Sequence, residues 1–439
     1  MTNYYLAIDI GATSGRHILG HLENGELIIE EVFRFKNRVI EENDNLFWDI
    51  EYLFENILEG LRKCKSLNKI PVSFGIDTFG VDYALLDNKN KLVKGINCYR
   101  DTRTLSSKEK LHNIIPVKEL YLKTGVYPQN FNTVYQLYDD YLKGYLKETK
   151  TIMFLPCFLG YLLTGVKNTE LSIASTSGML DKATLEFNKE ILDTMEIEDN
   201  IFPKIVNCGD IIGTLKTEIQ DIVGFDTQLK CVFSHDTASA CFGADVENGE
   251  LFLSSGTWSL MGLMTSETIV NEKTLEKGFT NELNDKIHVR FLKNIIGMFI
   301  INEVVKEQKQ NKTIIQVVEE AKNGMHYQDV FDPTDNRFLN PKSMIYEIVG
   351  YFLEQGKEPP TKTEELYYCV YHSLAVCYKK ALEEIEELTN SKVKCIKVFG
   401  GGSNNLFLNK LTEDITHTKV IKKASEATAI GNLKCQIRK

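Results

Sequence analysis

Two stretches of this chain, about 245 residues apart, are built alike. The first is Asp9-Ile10-Gly11-Ala12-Thr13-Ser14-Gly15-Arg16, which closes an apolar run starting at Tyr4. The second is Ser254-Ser255-Gly256-Thr257-Trp258-Ser259-Leu260, entered from Leu251 to Leu253. Each reads as a strand, a turn of small hydroxylic residues, and a second strand. Such a repeat predicts one plan used twice, with an anion-binding turn on each copy. The plain alternative is a pair of unrelated β-turns.

The flanking sequence extends the plan. Arg16 to Leu22 and Glu26 to Phe35 read as strands joined by Glu23-Asn24-Gly25, where Gly25 supplies the positive φ of a hairpin. After Asp49, a predicted N-cap, apolar residues recur at Ile50, Leu53, Phe54, Ile57, Leu58 and Leu61, which is one helical face. Val72 to Asp77 reads as a buried strand, Val81 to Leu86 as an alternating one, and Cys231 to Ser234 as strand-like. Tyr367 to Leu388 predicts a long amphipathic helix. A strand Val393 to Phe399, a glycine turn and a helix carrying Leu406, Leu408 and Leu411 follow it. Alternating strands and helices predict an α/β fold. At 439 residues the chain exceeds one core, and motif order places a domain break near residues 240 to 250.

A net charge of −10 argues against nucleic-acid and membrane-surface partners, which need a basic face. The ten cysteines form no C-x-x-C pair and no zinc spacing, so reduced thiols in a cytoplasmic protein are expected. The first residues show no signal peptide, and no apolar run is long enough to span a bilayer.

Five segments carry chemistry. In the first loop, Gly11 and Gly15 are expected to let backbone N–H groups approach an anion. Thr13 and Ser14 add hydroxyl donors, and Arg16 adds a cation for phosphate. The second loop repeats the arrangement around Gly256 and Thr257. Gly400-Gly401-Gly402-Ser403-Asn404-Asn405 strips the side chains from a helix start, which suits adenosine or phosphate, and Asn405 offers an amide to a base edge. The bland reading of that run is helix packing. In Ser234-His235-Asp236-Thr237, a carboxylate just past a strand suits the proton acceptor of phosphoryl transfer, or else a helix cap. Last, Asp77, Gly80, Asp82 and Tyr83, with Tyr99-Arg100-Asp101-Thr102-Arg103, suit sugar hydroxyls and an aromatic wall, or else salt-bridged loop ends.

The order of these motifs resembles that of the FGGY carbohydrate kinases, most closely their L-rhamnulose kinase branch. Leu163-Thr164-Gly165, Arg290-Phe291-Leu292-Lys293-Asn294-Ile295, Asp335 to Pro341 and Glu426-Ala427-Thr428-Ala429 add to the likeness, which runs from residue 5 to about 436. The resemblance implies two actin-like, ribonuclease-H-like domains, 1–243 and 244–439, with ATP and a small ketose in the cleft between them. It implies transfer of the γ-phosphoryl group of ATP to the 1-hydroxyl of L-rhamnulose, in L-rhamnose catabolism. Asp236 would be the base, and Ala12, Thr13, Ser14, Gly15, Arg16 and Thr257 would hold the ATP phosphates. Gly400, Gly401, Gly402, Asn405 and Asn302 would hold the rest of the nucleotide. Gly80, His235, Asp236, Thr237 and Asn294 would line the sugar site, and Asp9 would sit near Mg²⁺ through water. The protein would be a monomer or homodimer.

Against that branch, Phe79 stands where Trp is usual, Cys157 where Asp is usual, and Asn302 where Gln is usual. The chain closes soon after Gly431-Asn432, so a reduced last helix of the second domain is expected. A kinase for L-fuculose or L-xylulose, and a non-catalytic sensor on the same fold, are the competing readings. Retention of Asp9, Asp236 and both loops favours catalysis.

Overall fold

The first expected hairpin forms where Asn24 and Gly25 both take positive φ, 52° and 86°. Two such residues give the turn whose twist matches that of its strands. The computed structural model describes residues 2–309 and 311–438. β1 (Tyr4–Ile10), β2 (Ser14–Glu23) and β3 (Glu26–Lys36) make an antiparallel meander. β4 (Pro71–Thr78) runs parallel to β1, and β5 (Ile211–Thr214) and β6 (Gln228–Lys230) complete a sheet ordered β5-β6-β4-β1-β2-β3. The second sheet holds β7 (Leu251–Ser255), β8 (Trp258–Thr265), β9 (Thr280–Asp285), β10 (His288–Ile296), β11 (Cys395–Phe399) and β12 (Lys419–Lys422). Its order is β9-β10-β8-β7-β11-β12.

Five strands of each sheet match in order and direction. β3-β2-β1-β4-β6 in the first corresponds to β10-β8-β7-β11-β12 in the second, a meander followed by two parallel additions. This is the duplication that the two loops predict, and both loops sit at the same place, between the first and second strand of a sheet.

α1 (Ile50–Ser66) starts as expected, with the Asp49 side chain accepting from the Tyr52 N–H, and buries Leu53, Ile57, Leu58 and Leu61. α2 (Asp236–Gly243) follows the first sheet, and α3 (Phe299–Glu307) follows β10. α4 (Thr363–Thr389) is the long helix of the second core, α5 (Leu406–Thr416) follows the glycine turn, and α6 (Ala427–Ile437) closes the described chain. No helix among the described residues is long and apolar enough to cross a membrane.

Three expectations change. Val81 to Leu86 is not an alternating strand: only Tyr83–Leu86 pairs, and both its faces are buried. Val81 instead turns the chain at φ 70°, a strained conformation for a β-branched residue. It is held there by Thr133, whose hydroxyl donates to its carbonyl, and by Thr176, which accepts its N–H. Cys231 to Ser234 lies beyond the end of β6 and runs extended without a ladder, although Ser234 O accepts the Thr78 N–H.

The last helix, α6, packs on α2, β1 and β4 of the first sheet rather than on the second. Its crossing with α2 is made by two glycines. A Cβ on Gly243 would stand 1.9 Å from Ala427 O, and one on Gly431 would stand 1.8 Å from Ser239 O. Only hydrogen fits at either position.

Candidate active site

Between the two sheets lies a cavity of about 300 Å³. From the first half it receives Gly11, Ala12 and Thr13 of the β1–β2 loop, Phe79 to Val81 after β4, and His235, Asp236 and Thr237 at the start of α2. From the second come Gly256 and Thr257 of the β7–β8 loop, Glu282 on β9 and Asn294 on β10. Eight of the residues expected in the site therefore share one cavity: Ala12, Thr13, Gly80, His235, Asp236, Thr237, Thr257 and Asn294.

Asp236 is the first residue of α2 and its side chain does not cap the helix; the cap position is His235. The helix-cap alternative therefore fails. Asp236 is one-third exposed, and its Oδ1 accepts from the Thr237 hydroxyl at 3.0 Å. Burial, then the charge of Asp9, pushes its carboxyl up to about 7. Asp9 and Asp77 are register neighbours on β1 and β4. Asp77 is fully buried and also pushed up, by burial and then by Asp9, while a bond from Asn432 opposes the shift. One of its oxygens, Oδ1, has no partner. Three carboxylates thus converge where the strand ends meet α2.

Arg16 does not point at an open anion site. Its Nε and Nη2 both donate to Asp9 Oδ2, at 2.9 and 2.7 Å, and its Nη1 pairs with Glu426 at 2.7 Å. The expected role of Gly11 also changes, because its N–H closes the turn on Ser14 O at 2.9 Å. Gly15 sits within β2, and a Cβ there would lie 2.2 Å from the Phe35 ring, so packing is what requires glycine. The groups turned to the cavity are those of Ala12 and Thr13. Asn37 braces their loop by donating to Gly11 O, and Arg100 by donating to Ala12 O.

The glycine run lies behind the second loop instead of in the cavity. Gly400 takes φ 83° and packs on Ser255, as does Gly402, whereas nothing lies within 4 Å of a Cβ on Gly401. Asn405 is buried and caps α5 by accepting the Leu408 N–H through Oδ1, while its Nδ2 has no hydrogen-bond partner. Asn302 is exposed on α3, one turn after Met298, whose N–H bonds Gly256 O.

The fifth motif divides. Phe79, Gly80 and Tyr99 line the cavity, with the Phe79 ring tilted against Trp48 at 4.6 Å and against Tyr99 at 5.6 Å between centroids. Asp82 faces inward, accepting from Trp48 Nε1, the Tyr99 N–H and Gln136, so it cannot fork sugar hydroxyls. Arg103 is salt-bridged to Asp139 and Asp140, as in the bland reading, while Asp101 accepts the backbone N–H groups of Arg103 and Leu46. Cys157 is buried near Asn168 and does not line the cavity. All ten cysteines are free thiols.

Sequence reasoning gave no role to Arg290 or Glu282, which stand behind His235. The signal for Arg290 was its spacing. Residues four apart on a strand share a face, so placing Asn294 in the cavity placed Arg290 beside it. Asn432 and Glu426 had no such signal, since their partners are more than 350 residues away. Among the described residues no group of three or more His, Cys, Asp or Glu side chains forms a metal cage.

Comparison with known proteins agrees with this geometry. Residues 4–243 match the N-terminal domain of the FGGY family of carbohydrate kinases, and residues 251–439 match its C-terminal domain. Rhamnulokinase of Bacillus subtilis (strain 168) is 39% identical over 435 residues, 99% of this chain and 90% of that one. Rhamnulokinase of Halalkalibacterium halodurans is 39% identical over 436 residues, 99% and 93% of the two chains. Among solved structures, gluconate kinase from Lactobacillus acidophilus superposes with a TM-score of 0.83 at 16% identity, covering 99% of this chain and 89% of its own. A xylulose kinase from the same organism gives the same values. With the duplicated sheets and a shared cavity between them, these matches identify the chain as an ATP-dependent carbohydrate kinase belonging to the FGGY family.

Proposed function

We propose that this kinase transfers the γ-phosphoryl group of ATP to the 1-hydroxyl of L-rhamnulose, giving L-rhamnulose 1-phosphate and ADP. The observation that carries the reading is the meeting of Asp236 with both Ser/Gly/Thr loops in one cavity. The choice of sugar rests on the relatives named rhamnulokinase, which are similar across nearly the whole chain.

In this reading, Asp236 accepts the hydroxyl proton through Oδ2, since Oδ1 is held by Thr237. The freed alkoxide attacks the γ-phosphorus, the bond to the bridging oxygen breaks, and ADP leaves with that electron pair. A carboxyl poised near neutrality suits the task, being both deprotonated and basic at working pH. Ala12, Thr13 and Thr257 turn N–H and hydroxyl groups to the phosphates. Ser14, Gly15 and Arg16 set the shape and charge of the first loop, and Gly401 lies beneath the adenosine. Gly400, Gly402 and Asn405 hold the backbone of that surface, and Asn302 flanks it. Gly80, His235, Thr237 and Asn294 contact the sugar, with Phe79 as its apolar wall.

Mg²⁺ bound with ATP would supply charge neutralisation on the phosphates. The residues fit such an ion: Asp77 Oδ1 is buried without a partner, and Asp9 keeps Oδ1 outside its pair with Arg16. Two carboxylates with no cage suit an ion that keeps most of its waters. We place the domain division at 243/244, with α6 attached to the first domain by its contacts. A cytoplasmic location is part of this proposal, supported by the free thiols and the need for ATP.

The test is kcat/KM across a panel of ketoses at fixed Mg-ATP, with ATP turnover also measured without sugar. L-rhamnulose is expected to lead L-fuculose and L-xylulose by about 5- to 150-fold, the cost of one buried polar group left unpaired. Another ketose ahead by tenfold overturns the assigned sugar, and no sugar-dependent turnover overturns the catalytic reading.

A further inference from the structure

We infer that Arg290 is a positioning residue that fixes His235 as an N–H donor into the sugar pocket, leaving Asp236 as the sole proton acceptor there. Arg290 lies on β10 and is fully buried. Its Nη1 stands 3.0 Å from His235 Nδ1. A guanidinium has donors only, so Nδ1 must be the acceptor and the imidazole proton must sit on Nε2. The opposite tautomer would set two N–H groups against each other at that distance. Arg290 is itself held in place: Nη2 donates to Leu283 O at 3.1 Å, and Nη1 lies 3.2 Å from Glu282 Oε2. His235 is the residue before α2, so the contact ties a strand of the second sheet to the start of the helix carrying the base.

The charged groups around the ring are Arg290 and Glu282 from the second sheet and Asp236 from the residue's own helix. Glu170 lies behind the segment, accepting the Ser234 N–H, and Ser172 accepts the His235 N–H. Burial, then Arg290, keeps His235 neutral well below the ordinary imidazole range. Its Nε2 stands 3.4 Å from Asp236 Oδ1, long for a strong bond, so this N–H remains available to a substrate oxygen. A neutral imidazole of the other tautomer would present a bare nitrogen there and compete with Asp236 for the hydroxyl proton. A protonated one would draw Asp236 into an ion pair and weaken it as a base.

The functional consequence rests on the proposed sugar reading, but the tautomer does not, since it belongs to the ligand-free protein. The primary experiment is ¹⁵N NMR of histidine-labelled wild-type protein without ligands, with His235 assigned by the signal missing from H235Q. The expected spectrum has a bare Nδ1 and a protonated Nε2, unchanged through the range near pH 6.5 where a free imidazole titrates. A protonated Nδ1, or titration in that range, overturns the inference.

The second experiment is R290M, with the charge-balanced double variant E282Q/R290M used if the single one does not fold. In R290M the neighbouring cation is gone and Glu282 remains. His235 should therefore regain a proton near its ordinary range, and the acid limb that Asp236 gives kcat/KM for the ketose should steepen, from about tenfold toward about a hundredfold per pH unit below both midpoints. In the double variant His235 should show both tautomers, and R290K should restore part of the wild-type profile. A folded R290M or double variant with the wild-type nitrogen spectrum and pH profile overturns the positioning role. If the wild-type spectrum shows the expected tautomer while no ketose is phosphorylated, the inference about Arg290 holds and the sugar reading falls.

Discussion

Asn432 Nδ2 donates to Asp77 Oδ2 at 2.6 Å, so α6 holds a carboxylate that stands in register with Asp9. The carboxylate pair on β1 and β4 is therefore completed by the last described helix. Asp9, Asp77 and Asp236 repel one another there, and the bonds from Arg16 and Asn432 are what keep the group together.

Replacing Asp236 with Asn keeps the shape and removes the proton acceptor. The expected result is a loss in kcat of about 10²- to 10⁴-fold, with ATP and sugar binding nearly unchanged. Steady-state kinetics with both binding constants tests this. More than about a tenth of the wild-type kcat would exclude Asp236 as the base.

The pH profile follows from the raised carboxyl. Asp236 works deprotonated, so kcat/KM should fall as pH drops through about 7, the value set by burial and Asp9. Removing one repelling charge should lower that midpoint, so D9N is expected to shift the acid limb to lower pH whatever it does to the maximal rate. A limb that stays in place, or moves upward, would mean that Asp9 does not tune Asp236.

Adjacent glycines of the 400–402 turn should behave differently. A Cβ at Gly402 would lie 2.2 Å from the Ser255 hydroxyl, whereas one at Gly401 meets nothing within 4 Å. G402A should destabilise the fold by about 1–3 kcal/mol, the cost of overpacking. G401A should leave thermal melting unchanged and raise the KM for ATP at least about threefold, since that surface is open to the nucleotide. Equal melting temperatures for the two variants would refute the packing argument. An unaltered KM in G401A would refute the nucleotide assignment.

Closure of the cleft on both ligands is expected, because a cavity open to water would let water take the phosphoryl group. Small-angle scattering should show a smaller radius of gyration with sugar and a non-hydrolysable ATP analogue than with either alone. An unchanged radius, with rapid ATP hydrolysis in the absence of sugar, would count against closure.

Much of this was legible from local pattern. The repeated loops implied the duplicated sheets, Asn24-Gly25 the hairpin, and Asp49 the start of α1. What failed was any inference that needed to know where a side chain turns. Asp82 and Arg16 have the right chemistry for ligands, yet Asp82 is spent on Trp48, Tyr99 and Gln136, and Arg16 on Asp9 and Glu426. Gly15 was read as making room for an anion, and it makes room for Phe35. Contacts such as Asn432 to Asp77 and Arg290 to His235 join distant residues, and no periodicity links them.

The return of α6 to the first sheet has a consequence for biosynthesis. Residues up to Gly243 leave the ribosome long before residue 427 is made, a delay on the order of ten seconds or more. Throughout that interval α2 lacks the helix that crosses it, and Asp77 lacks its hydrogen bond from Asn432. A nascent first half therefore exposes the apolar surface around Ala7, Ile18 and Val232 that Ala429, Leu433 and Cys435 later cover.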